Sequence, residues 1–260
     1  MSQSNLNEVT DAKTANSARQ STCRLGFWIS ILTAVAAAAA LVIAVTTAPA
    51  RSGPFCMVES CVTYPYTDAA AFVPNDYLWM YPAFLLGPLF VVLVVCIHHY
   101  AALDKQVFSQ IALSFAVIST AALATNYFIQ LTVVQPSLLK GEVEGLSLFS
   151  QYNPHGVFIA LEDIGYLMMG VAFLCTAAVF SRRERLGRVI RLLFITGSVL
   201  AVGSLIPLAL LYRSDLEYRY EVVVLLVDWI TLIMSGVLLS VFFKRAGRYG
   251  TSRLPGASSG

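Results

Sequence analysis

Apolar residues in this chain are not spaced at a helix or strand period. They gather into unbroken blocks separated by short polar stretches. Six blocks are readable, over residues 25–48, 78–97, 108–133, 154–180, 189–211 and 222–243. At about 1.5 Å per residue each can cross a hydrocarbon core of about 30 Å as a helix. The expected fold class is therefore all-α, a polytopic transmembrane helix bundle of about six spans forming one domain over residues 25–245. Residues 1–24 are Ser-, Asn- and Thr-rich without an apolar period, and 246–260 are rich in Gly and Ser. Both are expected to be disordered tails.

Composition strengthens this picture. Hydrophobic residues make up 57% of the 260 and charged ones only 12%, where soluble domains carry about 25% charged. The mean hydropathy is +0.71. A formal net charge of +2, with the basic residues at block ends, points to lipid and topology and not to nucleic acid. Of the 17 Lys and Arg, only Arg51, Lys140, Arg213 and Arg219 fall on one side of an alternately threaded chain. The positive-inside rule then predicts both termini in the cytoplasm, with the protein in a cell membrane, a bacterial inner membrane on this reading. Arg19 and Arg24 before the first block, and Ala48-Pro49-Ala50 after it, imitate a cleavable secretory signal. Its apolar core of roughly 20 residues exceeds the about 7–15 of such signals, so an uncleaved first span is expected.

Two cysteines, Cys56 and Cys61, fall on the expected outer side, where a C-x4-C pair can close a small disulfide ring. Cys23 lies inside, and Cys96 and Cys175 lie within spans. No further soft ligands stand near the pair in sequence, so no metal is expected there. Trp28, Trp79, Tyr81, Tyr100, Tyr152 and Tyr212 sit at block ends and read as interface belts, with His98 and His99 also interfacial. Pro82, Pro88 and Pro207 are candidate bending points, and Gly197-x3-Ala201 permits close helix approach.

The chemistry lies in polar residues inside the blocks. Given the orientation, Asn126 and Gln130 of the third span, Glu162 and Asp163 of the fourth, and Asp228 of the sixth share one layer. That layer is about 10–15 Å below the outer ends. Asn126 and Gln130 share a helix face, as do Glu162 and Tyr166, with His155 above them toward the outer mouth. Asp163 points about 100° away from Glu162. No Lys or Arg lies at that depth within a span to neutralise the acids. Carboxyls in such a setting favour capture of a proton or a cation. The alternative is that Asn126, Gln130 and Asp228 serve only as interhelical hydrogen-bond glue. Small errors in the span ends would instead bring some of these groups into the interface.

The layout, carried by NPHGVFIALEDIGYL over residues 153–167 and DLEYRYEVVVLLVDWI over 215–230, resembles uncharacterised six-span integral membrane proteins of bacteria. That resemblance implies topology and no biochemical role. A P-loop, H-E-x-x-H, G-x-S-x-G and an intramembrane Schiff-base Lys are all missing from the sequence, and no cofactor is expected. Three readings follow. The first is binding or transport of a proton or a small cationic or polar ligand in an outer-leaflet acidic pocket. The second is a structural or sensory subunit whose polar layer only fixes packing. The third, an intramembrane enzyme, lacks a visible nucleophile.

Overall fold

The computed structural model describes residues 3–251 apart from 57 and 60. Its helices are α1 (Gln3–Thr47), α2 (Met80–Tyr100), α3 (Gln106–Ile129), α4 (Gln135–Lys140), α5 (Val157–Ala177), α6 (Arg185–Gly203), α7 (Leu205–Tyr212) and α8 (Tyr218–Thr251). Six segments are long and apolar enough to cross a bilayer: Asn16–Thr47, Asn75–Tyr100, Leu103–Lys140, Val157–Ala177, Arg185–Asp215 and Tyr218–Arg248. They match the six sequence blocks one for one. Side chains such as Val35, Val42, Ile118, Leu174, Val199 and Val237 stand exposed around the bundle, as a lipid-facing surface requires.

The ends differ from expectation, each for a local reason. The polar stretch before residue 25 is helical from Gln3, continuous with the first span. A helix nucleated in the apolar block extends cheaply into neighbouring residues. At the other end α8 runs on to Thr251, and the rest of the expected tail, 252–260, lies outside the described residues. The loop expected from residue 134 begins only at Gly141, which closes α4 in the left-handed conformation at φ 73°. Pro136 cannot donate to the Thr132 carbonyl and crowds it, so the helix widens into a π-turn over Gln130–Val134 and continues.

The fourth span, expected from residue 154, does not start there. The Asn153 side chain instead accepts the backbone N–H of His155 at 3.0 Å, closing a turn, and α5 starts after Gly156. The fifth span is broken at Ser204, between α6 and α7. Pro207 has no N–H for the Gly203 carbonyl, and the break falls at that point.

The helices form a closed ring in the order α1, α2, α3, α5, α6, α8, with α8 returning to α1 and α5 also touching α8 across the middle. Lipid offers no hydrophobic drive between helices, so close packing must hold the ring. Aromatic side chains fill the interior: Phe173 of α5 stacks on Phe194 of α6 at 5.4 Å and meets Phe90 of α2 at 5.6 Å. Gly197 and Ala201 form the small stripe expected on α6. A Cβ on Gly197 would lie 2.5 Å from Thr231 Oγ1 of α8, and Ala201 lies against Gly170 of α5.

The first loop folds over one end of the ring and carries the Cys56–Cys61 disulfide, with Cα atoms 6.1 Å apart. That end, where α1 stops and α2, α5 and α8 begin, is the disulfide end of the bundle. By loop-closure entropy so short a ring contributes about 2 kcal/mol. Replacing both cysteines by Ser is expected to lower the thermal midpoint in detergent by a matching amount. Reductant should then shift the parent protein to the same midpoint and leave the double variant unmoved.

Candidate functional site

Glu162 stands on the second turn of α5 and is fully buried. Its Oε1 accepts the phenol of Tyr127 from α3 at 2.7 Å. Tyr127 and Tyr166 share a hydrogen bond of 2.8 Å, and the indole N–H of Trp229 on α8 donates to the Tyr166 oxygen at 2.9 Å. Because the one proton of Tyr127 goes to Glu162, Tyr166 must donate to Tyr127. Donation therefore runs one way, from α8 through α5 and α3 to the carboxylate. The second oxygen, Oε2, has no partner.

The predicted face shared by Glu162 and Tyr166 is thus real, but the group from α3 that meets it is Tyr127. Asn126 instead donates to the Phe158 carbonyl at 2.9 Å, and Gln130 to the Phe149 carbonyl at 2.6 Å. Both amides tie α3 to the start of α5 and the loop before it. Asp163 is a charged neighbour of both Glu162 and Glu221, with Oδ1 unpartnered, and Asp228 is fully buried with neither carboxyl oxygen hydrogen-bonded. These two acids are the charged neighbours of Tyr220, whose phenol donates to the Ala201 carbonyl at 3.1 Å. Asp228 also lies within electrostatic reach of Tyr166. His155 is exposed, and the hydrogen bond it makes at this turn is through its backbone.

An acid the sequence reading passed over completes the site. Glu221, on the first turn of α8, is the strongest charged neighbour of Glu162 and also lines a cavity of about 400 Å³ at the disulfide end. It stands one heptad before Asp228, a spacing that keeps both on the same side of α8. The cavity is walled by Leu41, Ala44 and Val45 of α1, Trp79 ahead of α2, Phe158 of α5, and Leu225 and Trp229 of α8. Trp79 lies 5.9 Å from Trp229 and 5.5 Å from Tyr127, ring centre to ring centre. Trp79 and Tyr152, expected in interface belts, are buried in the protein interior instead. An aromatic at a span end has the same signature whether it faces headgroups or turns inward.

At the cavity rim Arg51 grips Asp76 through Nε–Oδ2 at 2.6 Å and Nη2–Oδ1 at 3.2 Å. Tyr152 adds a hydrogen bond to Asp76 Oδ2 at 2.8 Å. The carboxylate of Asp76 raises the Arg51 guanidinium above its ordinary range, and burial pushes the Tyr152 phenol far up, so both remain protonated donors. Phe72 covers the guanidinium face at 3.8 Å. Ser52 and Tyr218 meet at 2.8 Å, and Tyr218 donates to the Gln151 carbonyl at 3.2 Å, joining the first loop to α8.

Neither of the ion pairs Arg51–Asp76 and Arg219–Glu217 involves Glu162, Asp163, Asp228 or Glu221. Among the described residues no three His, Cys, Asp or Glu side chains gather as metal ligands. No protein-family model matches the chain, and no curated protein or solved structure is significantly similar to it. Its six spans make it a polytopic membrane protein in contact with the bilayer.

Proposed function

We propose that this protein binds or transports a proton or a small cationic or polar ligand through the acidic site at its disulfide end. One observation carries the reading. Glu162, enclosed with a free carboxyl oxygen, has as its strongest charged neighbour another acid, Glu221, which opens onto a cavity. Two carboxyls together out of water gain by taking up a proton or a cation between them. Glu221 can exchange with the cavity, and the Trp229–Tyr166–Tyr127 chain holds Glu162 in place to receive what Glu221 passes on. The positive-inside count makes the disulfide end the outer one, so uptake starts from outside.

The test is pH-driven uptake in proteoliposomes with a trapped pH-sensitive dye. Glu162→Gln keeps the shape of the side chain and the acceptor oxygen for Tyr127, and is expected to abolish uptake while the protein still elutes as a single species. Asp228→Asn is the companion variant. Uptake unchanged in both rejects the reading. The bonds of Asn126 and Gln130 to backbone carbonyls favour a second reading, a structural or sensory subunit. On that reading both amides leave every functional readout unmoved.

A further inference from the structure

The cavity lined by Glu221 also borders the seam between α1 and α8. Toward its other end, the seam between α1 and α8 is closed. A Cβ on Gly236 would lie 2.6 Å from the Ser30 carbonyl oxygen, and one on Gly26 would lie 2.8 Å from the Phe243 ring. Following that antiparallel register toward the disulfide end brings Leu41, Ala44 and Val45 opposite Val222, Leu225 and Leu226. All six of these residues line the cavity, so α1 and α8 together form this part of its wall. Val45 is 75% exposed, and Val222 and Leu226 are each 37% exposed. On a six-span bundle these exposed positions face lipid, so a passage between them would be a side door toward the acyl chains.

The inner wall has a different chemistry. Arg51 is a poor receptor for an anion, because Asp76 holds its guanidinium by two bonds and Phe72 covers its face. Ser52 and Tyr218 are bonded to each other. With Arg51 and Asp76 cancelling, the charge left on the wall is Glu221, and the indoles of Trp79 and Trp229 line the same cavity. A cavity whose wall holds one carboxylate and two indole rings suits an ammonium group, which gains from both kinds of group. A volume of about 400 Å³ falls within the usual range of small-molecule sites.

We infer that the cavity receives a membrane-dissolved amphiphile with a cationic, amine-type head, which enters between α1 and α8, sets its head against Glu221, Trp79 and Trp229, and leaves its tail along Leu41, Val45 and Leu226. This deepens the function proposed above by naming the class of ligand, and it rests on that reading of the acidic site.

The sequence supplies the reporter. Of three tryptophans, Trp28 is exposed on α1 and the other two line the cavity. A Trp28→Phe protein in nanodiscs therefore emits from the cavity wall alone. It is titrated with a bromine-tipped long-chain primary alkylamine, a quencher on contact, and with the carboxylic acid and alcohol of equal length. Saturable quenching by the amine is expected, with the acid weaker by about tenfold or more. Glu221→Gln should bring the amine down to the level of the alcohol, also about tenfold. Ala44→Phe, which fills the door without touching the acid, should reduce quenching by all three probes, and it decides the matter should Glu221→Gln fail to fold.

Non-saturating quenching, as from simple partition into lipid, overturns the inference, as does equal binding of acid and amine. The two proposals fail separately. Amine binding lost with Glu221→Gln, beside uptake untouched by Glu162→Gln, leaves the ligand site and removes the proton reading. Uptake lost with Glu162→Gln, beside no selective amine binding, does the reverse.

Discussion

Replacing Arg51 by Ala is expected to destabilise the protein by about 3 kcal/mol, read as a lowered thermal or chemical midpoint in detergent. Asp76 is buried to 1% exposure, and its carboxylate is held by two Arg51 nitrogens and the Tyr152 phenol. Removing the guanidinium leaves a charge inside the protein with one neutral donor. Loss of one partner from a buried pair costs about 3–5 kcal/mol, and the partial exposure of Arg51, 18% of its side chain, puts this case at the low end. The informative comparison is the double variant Arg51→Ala with Asp76→Asn, beside Asp76→Asn alone. Removing both charges together is close to neutral in such pairs, so most of the lost stability should return. Additive losses in that cycle would mean that the two side chains act independently. Because Tyr152 and Gln151 reach the same pair from the loop before α5, the single variant should also loosen the cavity rim.

Gly236→Val is the second large effect, again about 3 kcal/mol and at the upper end for overpacking. The obstacle to a Cβ there is backbone: the Ser30 carbonyl oxygen at 2.6 Å, with the Ala34 Cβ at 2.8 Å. Neither can rotate away, and the Ser30 hydroxyl further ties its own turn to the Gly26 carbonyl at 2.6 Å. Relief requires α1 and α8 to separate along their length. The measurement is the yield of monodisperse protein together with cysteine cross-linking across the seam, and both should fall. Gly203→Ala is the control, since nothing lies within 4 Å of its Cβ position, and a change of about 0.5 kcal/mol or less is expected. Equal behaviour of the two variants would show that the seam does not depend on close approach.

The spans could be read from sequence because a lipid-facing helix declares itself by length alone. Their order around the ring could not. With lipid as apolar as the core, residues such as Val35 and Ala37 of α1 look alike in sequence, although one faces out and the other is fully buried. Polar residues broke that symmetry where they occurred, which is why the shared face of Glu162 and Tyr166 was readable by i, i+4 spacing alone. Tyr127 was missed because a tyrosine in a span carries no sign of inward pairing. Glu221 was missed because it closes the charged run YRSDLEYRYE and reads as loop, although its heptad spacing to Asp228 was there to find. Arg51 and Asp76 lie 25 residues apart in a segment without a period, so only the fold brings them together. The fourth span, expected from residue 154, starts later for a related reason, since an Asn able to cap a helix can equally close a turn before it, as Asn153 does.

The closed ring also has a consequence for biosynthesis. The main neighbour of α1 is α8, and a ribosome completes α8 only after the five preceding spans. Until Phe243 has been synthesised, the face of α1 bearing Gly26, Ser30 and Ala34 has no mate and must wait against lipid or the insertion machinery. Joining the two helices is therefore a late event in assembly, and the cavity at Glu221 takes shape only once α8 has arrived beside α1.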